Sequence, residues 1–409
     1  METSNVIHPA IADLSRLSSW DRLFVRALGN VRGGTVRITL PCGHIVQAGK
    51  GSEDSVDLVL KDPGITKRIL LGGSMAFAEA YIDGRWTTSD LTALLKIMAR
   101  SQERLGRFAK GTSALLRWMD GWSHKLRRNT KGRAKRNIRE HYDLGNNLYR
   151  TFLDDSLTYS SALFAREGES LESAQFRKLD RLIDGLAPGK DDHVLEIGTG
   201  WGSCAIRMAQ RTGCRVTSLT LSREQAEEAR RRVEEAGLSG RVDIRLQDYR
   251  DVKDTFDHAV SIEMIEAVGH EFLPGYFRAV QERLRPGGRF ALQAITIPDE
   301  RYESYRKSCD FIRKHVFPGG HLPCPGQLRT LRERETRFQE IDTFEFGGDY
   351  AETLRRWRER FFDRLDTVRE IGFDDAFIRK WHYYLAYCEA GFDLGLIHVR
   401  QIMYRMPEA

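Results

Sequence analysis

Val194-Leu-Glu-Ile-Gly-Thr-Gly-Trp-Gly202 is the stretch on which the reading of this chain turns. Apolar residues around one acid, then glycines at 198, 200 and 202, describe a buried strand breaking into a tight turn. Ser203-Cys-Ala-Ile-Arg-Met-Ala-Gln210 follows with apolar residues at helical spacing, so the turn opens a helix. Gly198, Gly200 and Gly202 remove side chains where a ligand must approach the backbone. The pattern E-x-G-x-G-x-G departs from the dinucleotide fingerprint G-x-G-x-x-G, whose third glycine falls one place later. An acid just before the glycines suits a ligand with an ammonium group and no pyrophosphate. S-adenosylmethionine fits that description, with Glu196 near its charged methionyl end. The plain alternative is a glycine-rich turn that binds nothing.

Around this stretch the order is strand, helix, strand, helix, as a doubly wound α/β sheet requires. Strands are predicted at His193–Ile197, Arg215–Leu219, Val242–Leu246, His258–Ile262 and Arg289–Thr296, with later ones near Phe338–Phe344 and Gly395–Arg405. Ser222 with Gln225 three positions on makes a capping box for the helix after the second strand. In such folds the loop after that strand meets a ribose, so Leu221 is placed to pack on an adenine and Gln225 to bond sugar hydroxyls. Asp248, after the third strand, is placed to accept from an adenine amino group; a solvated loop carboxylate is its plain reading. After the fourth strand, Glu263-Met-Ile-Glu266 sets two carboxylates three apart, and Gln293 and Ile295 end the fifth strand beside them. Polar groups from neighbouring strand ends can converge there on one small polar ligand.

The chain has 409 residues, 41% of them apolar and 30% charged, enough for two or three globular domains. No uncharged apolar run is long enough for a transmembrane helix, and the first residues do not read as a secretory signal. The cysteines are scattered without metal-ligand spacing, so the reading carries no metal, no disulfide framework and a cytoplasmic location. Residues 1–100 read as a small α+β domain, with helices over 64–100 interrupted at Gly72-Gly73 and Asp83-Gly84. Residues 101–137 are a basic amphipathic linker in which Trp118, Trp122 and several leucines interleave with Lys and Arg. That composition suits an anionic membrane surface; a solvated linker is the bland alternative. No nucleic-acid-binding signature accompanies the charge. Residues 138–409 form the catalytic domain.

Several motifs carry a family resemblance. Glu140-His-Tyr-Asp-Leu-Gly-Asn-Asn-Leu-Tyr149, then VLEIGTGWG, LTLSREQ, SIEMIEAVGHE, HVFPGGHLP, FEFGGDYAETLRRW and YYLAYCEAGF, resemble the cyclopropane-fatty-acyl-phospholipid synthases, mycolic acid cyclopropane synthases included, in order and spacing. The resemblance implies a class I methyltransferase, with a Rossmann-like doubly wound sheet and a lipid-binding insertion, behind the small N-terminal domain. It implies an S-adenosylmethionine-dependent enzyme acting on cis double bonds of acyl chains in membrane phospholipid, peripheral on the inner face of the membrane. Its cofactor contacts would be Tyr159, Ser160, the Val194–Gly202 loop, Thr220 to Gln225 and Ile265. A bicarbonate ion, the family's proposed proton acceptor, would be held at Thr199, Glu266, Gln293, Ile295 and Tyr350. Two of these depart from the family pattern: threonine replaces cysteine, and glutamine replaces histidine. A glutamine can hold bicarbonate but cannot trade protons with it.

An alkene is a poor nucleophile, so such an enzyme must align it with the sulfonium methyl in a dry site and shelter the cation that results. Tyr305, Phe311, Phe317, Trp357, Phe361, Tyr384, Tyr387 and Phe392 are candidates for that shelter, with core packing as their ordinary role. The position of the base then decides the product. A cyclopropane is the expectation, and a methylene- or methyl-branched chain is the first alternative because Thr199 and Gln293 alter the base's pocket. A lipid-binding protein without catalysis and a small-molecule methyltransferase are further alternatives. The intact glycine turn and Glu266 speak against the first, and the basic Trp/Leu segment against the second. For the N-terminal domain, lipid delivery, bilayer clamping and homodimer formation are all open.

Overall fold

The computed structural model describes residues 6–7, 17–29, 31–49, 55–101 and 145–408. The basic stretch and most of the Glu140–Tyr149 motif lie outside the described residues. By its contacts the chain divides into two units, one of Met1–Ser123, Ser308–Phe311 and Gly372–Leu394, the other of His124–Lys307, Ile312–Ile371 and Gly395–Ala409.

In the first unit β1 (Val6–Ile7), β2 (Thr35–Thr39), β3 (Ile45–Ala48), β4 (Ser55–Leu60) and β5 (Trp86–Thr87) form one sheet in the order β1-β3-β2-β4-β5. The helices are α1 (Ser19–Leu28), α2 (Ile65–Ile82) and α3 (Leu91–Arg100). Helix α2 breaks at Gly73, where φ is 62° and ψ −146°, and it stops at Asp83, as the glycines predicted. Trp86 anchors the unit: its Nε1–H donates to Phe77 O at 2.8 Å, and its ring stacks on Phe77 at 4.2 Å. One element here was not foreseen. The long helix Asp375–Asp393, read in sequence as part of the catalytic domain, groups with this unit instead. Tyr81 Oη lies 2.8 Å from His382 Nδ1, and Thr92 Oγ1 donates to Glu389 Oε2 at 3.3 Å.

The second unit is built on seven strands: β6 (His193–Ile197), β7 (Arg215–Thr220), β8 (Val242–Leu246), β9 (Phe256–Ile262), β10 (Leu284–Thr296), β11 (Gln339–Glu345) and β12 (His398–Arg405). Their order is β11-β12-β10-β9-β6-β7-β8. The run from β10 to β8 is parallel, and β12 pairs antiparallel with both β10 and β11. Side-chain alternation sends successive residues to opposite faces. Val194, Ala291 and Met403 pack under helices α5 (Leu171–Leu186), α6 (Ser203–Thr212) and α7 (Arg223–Glu235). Leu195, Phe290 and Tyr404 pack under α8 (Leu273–Arg283) and Pro325–Glu335 on the other face. The sheet is therefore doubly wound, and its strand order reverses between β6 and β9. Outside the carboxyl ends of those two strands, helices on either side leave a crevice. The loop from Leu153 to Phe164 borders it, tied to helix α12 (Gly347–Asp363), and helix α4 (Asn146–Phe152) bonds the turn at Trp201. The segment after β10 carries Asp299–Arg306 (α9), Phe311–His315 (α10) and Pro325–Glu335 (α11).

Phe290 has no exposed surface and stacks on Tyr404 at 5.9 Å, with Phe338 at 6.0 Å. Phe290→Ala opens a cavity that rigid strand neighbours cannot fill. It is expected to lower the unfolding free energy by about 3–5 kcal/mol in denaturant titration; a loss under about 1 kcal/mol would contradict this packing.

Candidate active site

The turn after β6 is held from both sides. Gly198 N–H and Thr199 N–H both donate to Leu219 O at 3.0 Å, and Gly202 N–H donates back to Thr199 O at 2.9 Å. All three glycines adopt positive φ: 104° at Gly198, 53° at Gly200 and 89° at Gly202. Their reasons differ. A Cβ at Gly202 would stand 3.3 Å from Ala229 Cβ, so this glycine lets α6 approach α7. A Cβ at Gly200 would meet nothing within 4 Å, because this position faces the cleft. Arg232 fastens the turn to the preceding loop, donating to Ser156 O at 2.8 Å and to Trp201 O at 2.9 Å. Trp201 Nε1–H donates to Asn146 Oδ1 at 2.7 Å.

The cleft encloses about 1190 Å³ of space, its mouth included. Tyr159, Ser160, Glu196, Gly198, Thr199, Gly200, Thr220, Leu221, Gln225 and Asp248 line it, all of them singled out in sequence. Gln175 orders the loop that supplies Tyr159 and Ser160, its Nε2 donating to Ser160 O at 2.8 Å. Helix α12 secures the same loop, since Ala162 N–H donates to Thr353 Oγ1 at 3.1 Å and Phe164 N–H to Asp349 Oδ1 at 2.7 Å. Ser222 caps α7 by accepting from Gln225 N–H at 3.3 Å, but the reciprocal half of the expected capping box is not made. Ser222 N–H donates instead to Thr220 Oγ1 at 3.1 Å, and Thr220 Oγ1 donates to Gln225 Oε1 at 2.9 Å. Asp248 stands in the wall, but its two oxygens clamp Arg250 at 2.8 and 2.6 Å.

The electrostatics are set by buried carboxyls. Glu196, 2% exposed, accepts from Ser218 Oγ and from the Cys204 thiol, and burial pushes its pKa up to about 7. Thr199 Oγ1 lies 2.7 Å from the same Ser218 Oγ. Glu263 follows β9 with φ at 47°, uncommon for a residue with a side chain. Its Oε1 accepts from Ser161 N–H at 3.0 Å and from Gln293 Nε2 at 2.7 Å, and its Oε2 accepts from Tyr350 Oη at 2.7 Å. Burial raises this carboxyl too, against the pull of those donors and of Lys178. Glu266 accepts from Ile295 N–H at 2.5 Å through Oε1, while Oε2 is buried without a hydrogen-bond partner. Burial, then the charge of Glu263, pushes the Glu266 pKa up to about 8. Lys178, wholly buried, donates to Ser160 Oγ at 2.6 Å, and its pKa falls to about 8 for the same reason.

The residues expected around one anion therefore divide. Gln293 and Tyr350 meet on Glu263, Ile295 serves Glu266 through its backbone, and Thr199 belongs with Ser218 and Glu196. Ile265, expected at the cofactor, has no exposed surface and packs in the core with Leu195, Phe277 and Leu292. Its neighbours Met264 and Ala267 line the cleft in its place. Among the aromatic candidates, Trp357 lies 5.3 Å from Tyr159 and 6.1 Å from Tyr350, ring centre to ring centre. Phe311, Tyr384, Tyr387 and Phe392 group with the first unit. Two residues escaped the sequence reading. Lys178 looks like one more surface charge on an amphipathic helix, and Glu263 was noted only as half of a carboxylate pair.

A glycine turn at the reversal point of this sheet, over a buried acid, defines a class I S-adenosylmethionine-dependent methyltransferase. The family model for mycolic acid cyclopropane synthetase matches residues 129–402, and the chain belongs to that family. It is 42% identical over 348 residues to tuberculostearic acid methyltransferase UfaA1 of Mycobacterium tuberculosis, covering 82% of this chain and 80% of that one. With the cyclopropane-fatty-acyl-phospholipid synthase of Escherichia coli K12 it shares 34% over 355 residues, covering 85% and 87%. The crystal structure of mycolic acid cyclopropane synthase CmaA1 complexed with SAH and CTAB superposes with a TM-score of 0.63 at 27% identity, covering 66% of this chain and 98% of that one.

Gly200, which faces the cleft, and Gly202, which lies outside its lining, separate in a stability measurement. Left-handed backbone costs a side chain about 1–2 kcal/mol at either position, and only Gly202→Ala adds a clash, with Ala229. Gly202→Ala is expected to lose clearly more unfolding free energy than Gly200→Ala; equal losses would mean that α6 and α7 are not in close approach there.

Proposed function

We propose that this methyltransferase moves the methyl group of S-adenosylmethionine onto a cis double bond of an acyl chain in membrane phospholipid, and that it releases a methylene-branched chain. The observation that carries the reading is a buried carboxylate, Glu263, in the wall of the same cleft as the glycine turn. Methylation of carbon, unlike that of oxygen or nitrogen, must dispose of a proton bound to carbon, and a fixed acceptor is what that step lacks in an apolar substrate.

Glu196, the glycine turn, Leu221 and Gln225 hold the cosubstrate, with Tyr159 and Ser160 closing over it, while Asp248 in the same wall is engaged by Arg250. Its sulfonium supplies an electrophilic methyl group. The cleft suits a cation: its acids outnumber its bases, Arg250 is neutralised by Asp248, and Lys178 holds its charge weakly. Tyr159, backed by Trp357, offers an aromatic face to the cationic carbon left on the acyl chain, worth about 0.5–2 kcal/mol. If the new methyl group loses a proton at once, a three-membered ring closes. If a hydride first moves from the methyl-bearing carbon to the cationic one, loss of a methyl proton leaves a methylene branch, a C=CH₂ on the chain. Reduction by a separate hydride-donating enzyme would complete a methyl branch. Branching is favoured by the departures at Thr199 and Gln293 and by the similarity to an enzyme named for a methyl-branched acid. The similarity to the Escherichia coli enzyme keeps the ring as the second reading. Among the described residues no helix is long and apolar enough to cross a membrane. Access to lipid is assigned to the first unit and to the basic stretch 101–137, whose Trp and Leu interleave with Lys and Arg, on the inner face of the membrane.

Two measurements test this. In a host without branched or cyclopropane chains, expression is expected to add one CH₂ to mono-unsaturated chains with one double bond retained. A gain of CH₂ with the double bond gone assigns the ring, and unmodified lipid removes the acyl substrate. Calorimetric affinity for S-adenosylmethionine is expected to rise severalfold as pH passes upward through about 7, where Glu196 loses its proton. Glu196→Gln should bind weakly with a flat profile, and a flat wild-type profile would remove Glu196 from the cationic end.

A further inference from the structure

We propose that Glu263 is the proton acceptor of this chain, a carboxylate built into the fold where a free bicarbonate ion would otherwise sit. This rests on the reading that an acyl double bond is methylated. Bicarbonate was expected to take hydrogen bonds at the positions of Gln293 and Tyr350. Both donors are already engaged by one carboxylate, at 2.7 Å each, and Ser161 N–H completes a three-donor cradle. The donors come from β10, from α12 and from the loop before α5, so the cradle is fixed by three separate elements. A second anion would have to displace Glu263 or share its donors at contact distance from a like charge. The free ion does not fit.

The backbone agrees. Glu263 occupies left-handed space at φ 47°, which costs a side chain about 1–3 kcal/mol, and strain of that kind persists only where the surroundings impose it. Its own N–H donates to Gln293 O at 2.8 Å, so the strained turn and the cradle share one strand. The neighbouring carboxyl completes the arrangement. Glu266 has one backbone donor and one unpartnered buried oxygen, so it keeps its proton at neutral pH, and the pair carries its single negative charge on Glu263.

The step balances without a co-reactant. On the methylene route a C–H bond of the transferred methyl group breaks after the hydride shift, and its electron pair becomes the π bond to the carbon that bears it. On the ring route the same pair closes the bond to the cationic carbon. The proton joins a carboxylate oxygen of Glu263 and later leaves to water through the cleft.

The test uses the full chain with S-adenosylmethionine and vesicles of mono-unsaturated phospholipid, in buffer stripped of carbon dioxide, with and without added bicarbonate or formate. Wild-type methyl transfer is expected to be unchanged by bicarbonate. Glu263→Gln and Glu263→Gly are expected to fall by about 100-fold or more while calorimetry shows S-adenosylmethionine bound as in the wild type. Glycine tolerates the left-handed turn, so Glu263→Gly loses the cradle's three hydrogen bonds without backbone strain, and added bicarbonate or formate restores its rate by entering the vacated cradle and meeting the stranded donors. Severalfold stimulation of the wild type by bicarbonate, a fully active Glu263→Gly in stripped buffer, or failure of both anions to restore it overturns the proposal. A wild type that methylates no lipid overturns the functional reading itself, and the proposal with it; an active but bicarbonate-dependent one overturns the proposal alone.

Discussion

Three hydrogen bonds onto one carboxylate hold this site together. Through Glu263 the loop at Ser161, strand β10 at Gln293 and helix α12 at Tyr350 are tied to the end of β9. The ties continue outward: Gln401 Nε2 donates to Gln293 Oε1 at 3.0 Å and to Lys178 O at 3.1 Å, which brings in β12 and α5. A buried polar chain of this kind is costly when any member is missing, because the stranded group has no water to turn to. Its completeness is what allows a charged group to stand inside an apolar wall.

The surrounding charges follow from the same economy of donors. Glu196 and Glu263 feel the buried ammonium of Lys178, Glu266 feels Glu263, and for every one of these groups burial is the largest influence. The carboxyl with three donors keeps its charge most readily, and the one with a single donor keeps its proton. A cationic cosubstrate entering such a cleft replaces missing positive charge, and the proposed acyl chain would bring none. On that reading the division of labour between cofactor end and acyl end follows donor counts and not the mere presence of acids.

Much of this was legible in the chain alone. Glycines at alternate positions after an acid could hardly mean anything but a strand breaking over a ligand, and the β6 strand lies where they put it. Short, largely apolar runs alternating with helical segments located the other strands, because each side of the sheet is covered by helices. Ser222 and Gln225 announced a helix start by local chemistry. What stayed hidden was set by partners far away in sequence. Lys178 reads as solvent-facing until Ser160 is found beside it, and Asp248 reads as a ligand contact until Arg250 takes both its oxygens. Ile265 matched a family position but lies in a short 3-10 turn, Ile265–Ala267, that turns its side chain into the core. The helix Asp375–Asp393 packs through Tyr81 and Thr92, contacts that span almost the whole chain. No pattern within the helix could reveal them.

The cradle itself can be seen directly. A high-resolution crystal structure of the chain with S-adenosylhomocysteine, grown with bicarbonate present, should show the Glu263 carboxylate between Gln293 and Tyr350 and no separate planar anion there. Density for a free anion on those two donors, with Glu263 turned away, would contradict the account.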